Sequence, residues 1–277
     1  MAPAGKLSVP LPSMTAMLAA AATGWEAPGW PVLRARARAA AAGLPAVPEP
    51  GPRVCACCRG PARRGFDRCF PCDLHAKSAP GLLADVVAPV ACAPKGSGLA
   101  TDLWRYKSGG AGSREAGAAL LAMLLVFLHD EGARVWQRAG AAAPTCACVV
   151  PSGRGRPGPH PLQLLVRGCL ALPWAALAAR PGGDTWARVL DPGRFRVPQP
   201  LTGSAVLLLD DTWTSGGTAQ SAAVALKRAG ARSVAVVVLG RHLPPVPSDP
   251  GPCPTRPEGA APWRGPGVGP LVNRLGW

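Results

Sequence analysis

Residues 206–218 read VLLLDDTWTSGGT and are the most informative part of the sequence. Its apolar residues predict a buried strand, and two adjacent carboxylates, Asp210 and Asp211, stand at the carboxyl end of that strand. Open α/β sheets bind their ligands at this end of the strands. Because successive strand residues point to opposite faces, only a bend in the chain would aim both carboxylates at one ligand. Ionised carboxylates accept hydrogen bonds from hydroxyls, so we expect a sugar diol here.

A loop rich in hydroxyl groups and glycine follows the two carboxylates: Thr214, Ser215, Gly216, Gly217 and Thr218. The loop leads directly into a predicted helix over residues 218–229, so free N–H groups and the positive end of the helix dipole would face an anion such as a phosphate monoester. A diol site beside a phosphate site predicts a ribose 5-phosphate ligand. A plain turn would account for the glycines, but not for two carboxylates placed before three hydroxyl residues. No lysine follows the glycines, so this is not a Walker P-loop.

Helical and apolar segments alternate along the rest of the middle region. Short apolar runs predict strands over residues 146–150, 205–209 and 234–239. Ser113 and Glu115 are typical of a helix start, and the apolar run over 116–128 predicts a largely buried helix. A strand, a helix and a strand with short connections imply a parallel sheet with a right-handed crossover. The predicted fold class is therefore α/β, with a parallel sheet flanked by helices.

Cysteines are dense in residues 53–75 and form two CxxC pairs: Cys55 with Cys58, and Cys69 with Cys72. Four thiolates from two such turns predict a tetrahedral zinc site. The zinc would be structural, because four sulfur ligands leave no position open for substrate or water. Cys57 and His75 remain alternative ligands, and unliganded thiols in a loop are the other interpretation. A segment this small and polar needs a structural metal or a similar cross-link to fold, because it cannot form a sufficient hydrophobic core.

The composition indicates a compact domain with less ordered ends. Of 277 residues, 34 are Gly and 34 are Pro, yet 48% are hydrophobic, which is enough for a sizeable core. Residues 34–38, RARAR, are compatible with a short helix. The predicted regions are a low-complexity linker over 1–52, a zinc-ribbon-like module over 53–95, the main α/β domain over 96–243 and a Pro/Gly-rich tail of little order over 244–277.

The net charge is +15, from 30 Lys and Arg residues against 15 Asp and Glu residues. Such a charge favours a polyanionic partner, either nucleic acid or a phosphorylated substrate. A GC-rich genome, which inflates Arg, Ala, Gly and Pro together, would give the same composition without a functional cause.

We expect a cytoplasmic protein that does not span a membrane. The longest apolar run, residues 116–128, has 13 residues, fewer than the roughly 20 that a membrane helix needs. Pro10 and Pro12 interrupt any signal-peptide core near the N-terminus. In a reducing compartment, ten cysteines favour metal binding over a disulfide framework.

Residues 206–218 resemble the phosphoribosyl pyrophosphate (PRPP) signature of the type I phosphoribosyltransferases. The order of zinc-type cysteines, the segment WRYKSG over 104–109 and then this signature is similar to that of ComF-like proteins, over about residues 53–243. The resemblance implies a phosphoribosyltransferase-type sheet with a small N-terminal zinc-ribbon-like module. It also implies that Asp210 and Asp211 hold the ribose hydroxyls with Mg²⁺ nearby, while residues 214–218 cradle the 5-phosphate.

The resemblance further implies a pyrophosphate loop after the strand over 146–150. Its residues would be Ser152, Gly153 and Arg154, with Arg156 as a further cation, and a plain Gly/Pro loop is the alternative. Lys107 could reach the pyrophosphate or stay solvated. His160 lies in a similar loop and is more often incidental than catalytic.

Two departures from the family pattern bear on the substrate. ComF-like proteins carry an Arg-Gly-Phe-Asn type segment where residues 166–169 here read VRGC. Purine-type members place an Asp where this chain has Thr214, so a purine salvage enzyme is not expected and the acceptor stays open. The predicted function is PRPP binding with Mg²⁺ and phosphoribosyl transfer to a nitrogen nucleophile. The alternatives are a non-catalytic accessory factor for DNA uptake, which binds single-stranded DNA or a helicase partner, and a PRPP- or nucleotide-sensing regulator.

Overall fold

The computed structural model describes residues 29–152, 158–180 and 189–243. In these ranges the helices are α1 (Trp30–Ala40), α2 (Phe70–Ser78), α3 (Gly98–Arg105), α4 (Ser113–Arg138), α5 (Pro161–Val166) and α6 (Gly217–Arg228). The strands are β1 (Val86–Pro94), β2 (Cys146–Val149), β3 (Ala178–Ala179), β4 (Phe195–Arg196), β5 (Ala205–Trp213) and β6 (Ser233–Leu243). The strands β1, β6, β5 and β2 form, in that order, a four-stranded parallel sheet, and β3 pairs with β4 in a small antiparallel ribbon.

Each face of the main sheet carries one hydrophobic layer, because side chains alternate along its strands. On β5, Leu207 and Leu209 belong to the layer that includes residues of α1 and α4, whereas Val206 and Leu208 belong to the layer that includes residues of α6 and the four predicted zinc ligands. The helix α6 connects β5 with its parallel neighbour β6, as the strand–helix–strand pattern predicts.

The predicted α/β class, a parallel sheet flanked by helices with a cysteine cluster in the N-terminal part, is confirmed.

The strand β1 is an element that the sequence pattern did not predict. It lies at the edge of the sheet beside β6 and has Pro89 near its centre, in register with Val238. Proline has no N–H to donate, so it is tolerated on an edge strand and not in a central one. Because β1 joins the main sheet, the region over 53–95 is not a separate zinc module throughout: its last part belongs to the α/β domain.

Residues 30–40, which the composition assigned to a low-complexity linker, form α1. Trp30 and Ala37, two turns apart on one face, are each 1% exposed and pack in the layer that α4 forms. The Arg34 guanidinium donates two hydrogen bonds, of 2.8 and 2.9 Å, to the Asp130 carboxylate on α4. This segment is therefore part of the core. Residues 1–28 and the predicted tail over 244–277 lie outside the described residues.

The helix α4 is long and apolar enough, by length and composition, to cross a membrane. It begins at Ser113, one residue after its cap Gly112, and runs for 26 residues. In the structure 67% of its most apolar stretch is buried inside the protein. The helix α4 is therefore a core helix of this domain.

Candidate functional site

The carboxyl ends of β5 and β2 lie side by side at one edge of the sheet. Leu209 on β5 is paired with Val149 on β2, and the Leu209 carbonyl accepts a hydrogen bond of 2.9 Å from the N–H of Val150. Asp210 and Asp211 follow at this edge, where ligands of parallel α/β sheets bind. The structure therefore puts the two carboxylates next to the chain that leaves β2.

The predicted pyrophosphate loop is described only at its start. Ser152 is half-buried and follows β2 at the same edge as the two carboxylates. Gly153, Arg154 and Arg156 lie outside the described residues. Their role at a pyrophosphate stays a prediction.

Asp211 is a buried carboxylate held by several donors. Its Oδ2 accepts a hydrogen bond of 2.6 Å from the hydroxyl of Tyr106, is paired with the Lys107 ammonium and lies 3.7 Å from Nε2 of His160. Burial raises the pKa of Asp211, but the charges of Lys107 and His160 and the hydrogen bonds outweigh it, so this pKa lies below its ordinary value. Asp211 is thus ionised and ties the segment after α3 to the end of β5.

Lys107 and His160 therefore have a contact that the sequence patterns did not reveal. Lys107, expected at the pyrophosphate or in solvent, pairs with Asp211. His160 caps α5: its Nδ1 accepts a hydrogen bond of 3.2 Å from the N–H of Leu162, so its Nε2 is the nitrogen that faces Asp211. Tyr106 and Lys107 therefore bring the segment over 104–109 to the candidate site. In the sequence, its place in the motif order was the sign of this role.

Asp210 lies in a different environment from its neighbour. Because β5 continues as a strand through Trp213, without the bend that would aim both carboxylates at one point, the two side chains leave opposite faces. Asp210 is half-buried, and its Oδ1 accepts a hydrogen bond of 2.9 Å from the N–H of Asp211. Burial, together with the charge of Asp211, raises the pKa of Asp210 to about 8. Asp210 is the more accessible carboxyl of the two.

The loop after β5 runs straight into α6. Gly216 has a φ of +84°, and a Cβ there would stand 2.1 Å from the ring of Trp213, so this position fits only glycine. The N–H of Gly217, the first residue of α6, donates to the Ser215 hydroxyl at 3.4 Å. Thr214 is exposed and Ser215 half-buried. Hydroxyl groups thus surround the N-terminus of a 12-residue helix, an arrangement that favours a bound anion.

A buried guanidinium lies at the same end of α6. Arg194 is 6% exposed, and its Nη1 donates a hydrogen bond of 3.1 Å to the hydroxyl of Thr218. It adds positive charge where the helix dipole already favours an anion. No sequence motif singled out Arg194, because one arginine in a strongly basic chain has little information content.

The four predicted zinc ligands come together in the structure: Cys55, Cys58, Cys69 and Cys72 are all buried, with their sulfur atoms within 4.8 Å of one another. The sulfur atoms of Cys58 and Cys69 are 3.7 Å apart, close to the roughly 3.8 Å that tetrahedral zinc with bonds of about 2.3 Å requires. Both the donor set and the spacing fit zinc. Among the described residues, the alternative ligands Cys57 and His75 do not belong to this group.

Comparisons with known proteins contribute little more. No family model matches the chain, and no curated protein matches it in sequence. A solved structure, a purine phosphoribosyltransferase from Pyrococcus horikoshii Ot3, matches with 14% identity, 53% of this chain and 92% of that chain covered, and a TM-score of 0.28. The fold class is shown by the four-stranded parallel sheet, its flanking helices and the four-cysteine cluster.

Proposed function

We propose that this chain is a cytoplasmic protein that binds PRPP, or a related ribose 5-phosphate compound, at the carboxyl end of β5 and transfers the phosphoribosyl group to a nitrogen nucleophile. One observation supports this most: residues 210–218 bring a half-buried carboxyl, hydroxyl side chains and the N-terminus of α6 together at one sheet edge. A diol needs hydrogen-bond acceptors, and a phosphate needs N–H donors and positive charge. This segment offers the acceptors on Asp210 and the N–H donors and positive dipole end at the start of α6.

Each group at this edge takes one part of such a ligand. Asp210, once ionised, accepts hydrogen bonds from the ribose hydroxyls. The loop over 214–218 anchors the 5-phosphate, and the guanidinium of Arg194 adds charge beside it. Asp211 positions Lys107 at the same edge.

The reaction breaks the bond between the anomeric carbon and a pyrophosphate oxygen, whose electron pair leaves with pyrophosphate, and forms a bond from that carbon to nitrogen. The anomeric carbon develops positive charge on the way. The protein therefore acts mainly by holding both partners in place and stabilising the departing pyrophosphate. By the family resemblance we assign that last task to Ser152, Gly153 and Arg154, with Lys107 as a further cation.

The oxygen donors at this edge fit Mg²⁺, which prefers carboxylate and phosphate oxygens. Asp210 offers a half-buried carboxyl for it. Asp211 suits it less, since its Oδ2 already accepts the hydrogen bond of Tyr106 and pairs with Lys107. When bound with PRPP, Mg²⁺ supplies neutralising charge to the pyrophosphate.

Titration calorimetry of the full chain with PRPP and Mg²⁺ tests the proposal. We expect saturable binding by the wild type and at least about tenfold weaker binding by Asp210→Asn, because the amide loses charge-assisted hydrogen bonds. An asparagine still accepts from the Asp211 N–H, so the end of β5 stays in place. The matched control is Asp67→Asn, at an exposed aspartate of the cysteine segment, which should bind as the wild type does.

Equal affinity of the wild type and Asp210→Asn, or no binding by either, contradicts the proposal. Where binding is found, a pyrophosphate-release screen over amines and nucleobases identifies the acceptor.

A second candidate function, supported by a different surface, is binding of single-stranded DNA, as in a ComF-like accessory factor. Residues 63–70 carry the exposed cations Arg63, Arg64 and Arg68. They also carry Phe66, which is 63% exposed, and Phe70, which is 81% exposed. Exposed aromatic rings among cations provide the stacking and backbone contacts that such DNA uses. Aromatic residues make up only 5% of the chain, which disfavours this function, but their local concentration beside these cations favours it.

A fluorescence anisotropy titration with an oligothymidine tests the second candidate. We expect the double variant Phe66→Ala, Phe70→Ala to bind at least about tenfold more weakly, since stacking on each ring contributes about 1–3 kcal/mol. The control Val32→Ala truncates an exposed side chain on α1 and should have no effect. Unchanged binding by the double variant, or none by the wild type at low salt, rejects this candidate.

A further inference from the structure

Arg241 connects the four-cysteine cluster with the loop that follows β5. It lies on β6 in register with Trp213 and is 7% exposed. Its Nη1 donates hydrogen bonds to the carbonyls of Trp213, at 3.2 Å, and Thr214, at 3.0 Å, and also bonds the carbonyl of His242. Its Nη2 donates to the sulfur of Cys58 at 3.5 Å. One guanidinium therefore contacts both a predicted metal ligand and the first residue of the proposed phosphate loop.

The cysteine segment packs closely on this guanidinium. A Cβ on Gly60 would stand 2.2 Å from Nη2 of Arg241. The carbonyl of Gly60 accepts a hydrogen bond of 2.8 Å from the N–H of Cys55, which closes the turn that holds the first two cysteines. The position of this turn and the position of the Arg241 side chain therefore depend on each other.

A buried guanidinium needs an anionic partner and acceptors for its donors. Four thiolates around one Zn²⁺ carry a net negative charge and are fixed in a tetrahedron, so a filled cluster supplies that partner in a defined place. The guanidinium is planar and holds its donors in a fixed fork. A displacement of Cys58 is therefore passed on to the carbonyls of Trp213 and Thr214.

We propose that Arg241 is a positioning residue that couples metal binding in the four-cysteine cluster to the conformation of the loop over 214–218, and thereby to anion binding there. A filled cluster holds Arg241, and Arg241 holds the carbonyls at the start of the loop. An empty cluster lets the loop open. The effect of the metal on the loop is supported by the hydrogen bonds of Arg241 to Cys58, Trp213 and Thr214. The effect of the loop on anion binding rests on the proposed function.

Amide hydrogen exchange of the full chain measures the step from metal to loop. In zinc-loaded Arg241→Met we expect exchange over 214–218 to be at least about tenfold faster than in the wild type, because charge-assisted hydrogen bonds to the loop are lost. Zinc removal should accelerate exchange there in the wild type and add nothing in the variant. The control Arg232→Met removes an exposed arginine near the start of β6 and should behave as the wild type.

If Arg241→Met does not fold, the variant Arg241→Lys provides the same test. Lysine keeps the charge but cannot bond Cys58 and both carbonyls with one fork, so the folded, zinc-loaded variant should show the same faster exchange. Unchanged exchange over 214–218 in the folded Arg241 variants overturns the inference. So does an equal response of wild type and variant to zinc removal.

Titration with ribose 5-phosphate measures the step from loop to anion. We expect zinc-loaded wild type to bind at least about tenfold more tightly than Arg241→Lys, and zinc removal to weaken only the wild type. If the wild type binds no ribose 5-phosphate while its loop exchange depends on zinc and Arg241, the proposed function fails and the step from metal to loop stands. If the wild type binds and its affinity does not depend on Arg241, the coupling to the anion is wrong and the proposed function stands.

Discussion

Two adjacent carboxyl groups at the end of β5 have opposite environments. Asp211 is buried and paired with Lys107, and its pKa is lowered, whereas the pKa of Asp210 is raised to about 8. A strongly perturbed carboxyl at the ligand-binding edge of a sheet is typical of a functional site. The ionised form of Asp210 is unfavourable in the empty protein, and a hydroxyl-bearing or cationic ligand would stabilise it.

Asp210→Asn should therefore stabilise the protein at neutral pH while it weakens PRPP binding. The pKa of Asp210 is about 8 in the folded chain against an ordinary value of 3.8. Between these values the unfolded chain has released the proton and the folded chain keeps it, so the wild type loses stability as the pH rises. We expect the variant to exceed the wild type in free energy of unfolding by at least about 1 kcal/mol near pH 8 and to match it near pH 4. Urea unfolding across this range measures the difference, and parallel curves would refute the raised pKa.

Gly216→Ala should destabilise the protein by more than the cost of placing an alanine at a positive φ, because its Cβ would also clash with Trp213. Gly216 and Gly203 both have positive φ, but only at Gly216 would a Cβ meet another group, the Trp213 ring at 2.1 Å. We expect a loss of about 1 kcal/mol for Gly203→Ala and at least about 3 kcal/mol for Gly216→Ala. Urea unfolding of both variants makes the comparison. Equal losses would show that the loop does not press against Trp213.

Among the elements, those with a local pattern were predictable and those defined by tertiary contacts were not. The strands β2, β5 and β6 and the two CxxC pairs could be predicted, because each has a pattern that lies within a few consecutive residues. The strand β1 is interrupted by Pro89, which only its edge position tolerates. The contacts of Arg241 with Cys58 and of Tyr106 with Asp211 join residues 183 and 105 positions apart, which no local pattern reveals.

The helix α1 offers a test of the claim that it belongs to the core. Trp30→Ala removes a side chain that is 1% exposed, and we expect a loss of about 3–5 kcal/mol. Val32→Ala, on the same helix but 69% exposed, should change stability by no more than about 0.5 kcal/mol. Thermal or urea unfolding distinguishes the two. Similar small effects for both would mean that α1 is the linker that its composition suggested.

Across the whole molecule, the cysteine cluster and the α/β sheet share one hydrophobic layer, in which the cysteines lie with Val206, Leu208 and Trp213. Metal in the cluster should therefore contribute to the stability of the entire domain and not only of its own segment.

Metal analysis should find about one zinc per chain, and a chelator should lower the unfolding temperature. Cys72→Ser should lose the zinc, because its sulfur belongs to the buried group of four, whereas Cys57→Ser should retain it. Metal content by atomic emission measures both variants. Zinc loss in Cys57→Ser with retention in Cys72→Ser would mean that the ligand set described here is wrong.

A crystal structure of the full chain grown with ribose 5-phosphate would show whether residues 210–218 hold this group. We predict the phosphate within hydrogen-bond distance of the backbone N–H groups of the loop over 214–218, with the ribose hydroxyls facing Asp210. A sugar phosphate bound elsewhere, with this loop unoccupied, would show that residues 210–218 are not the ribose 5-phosphate site.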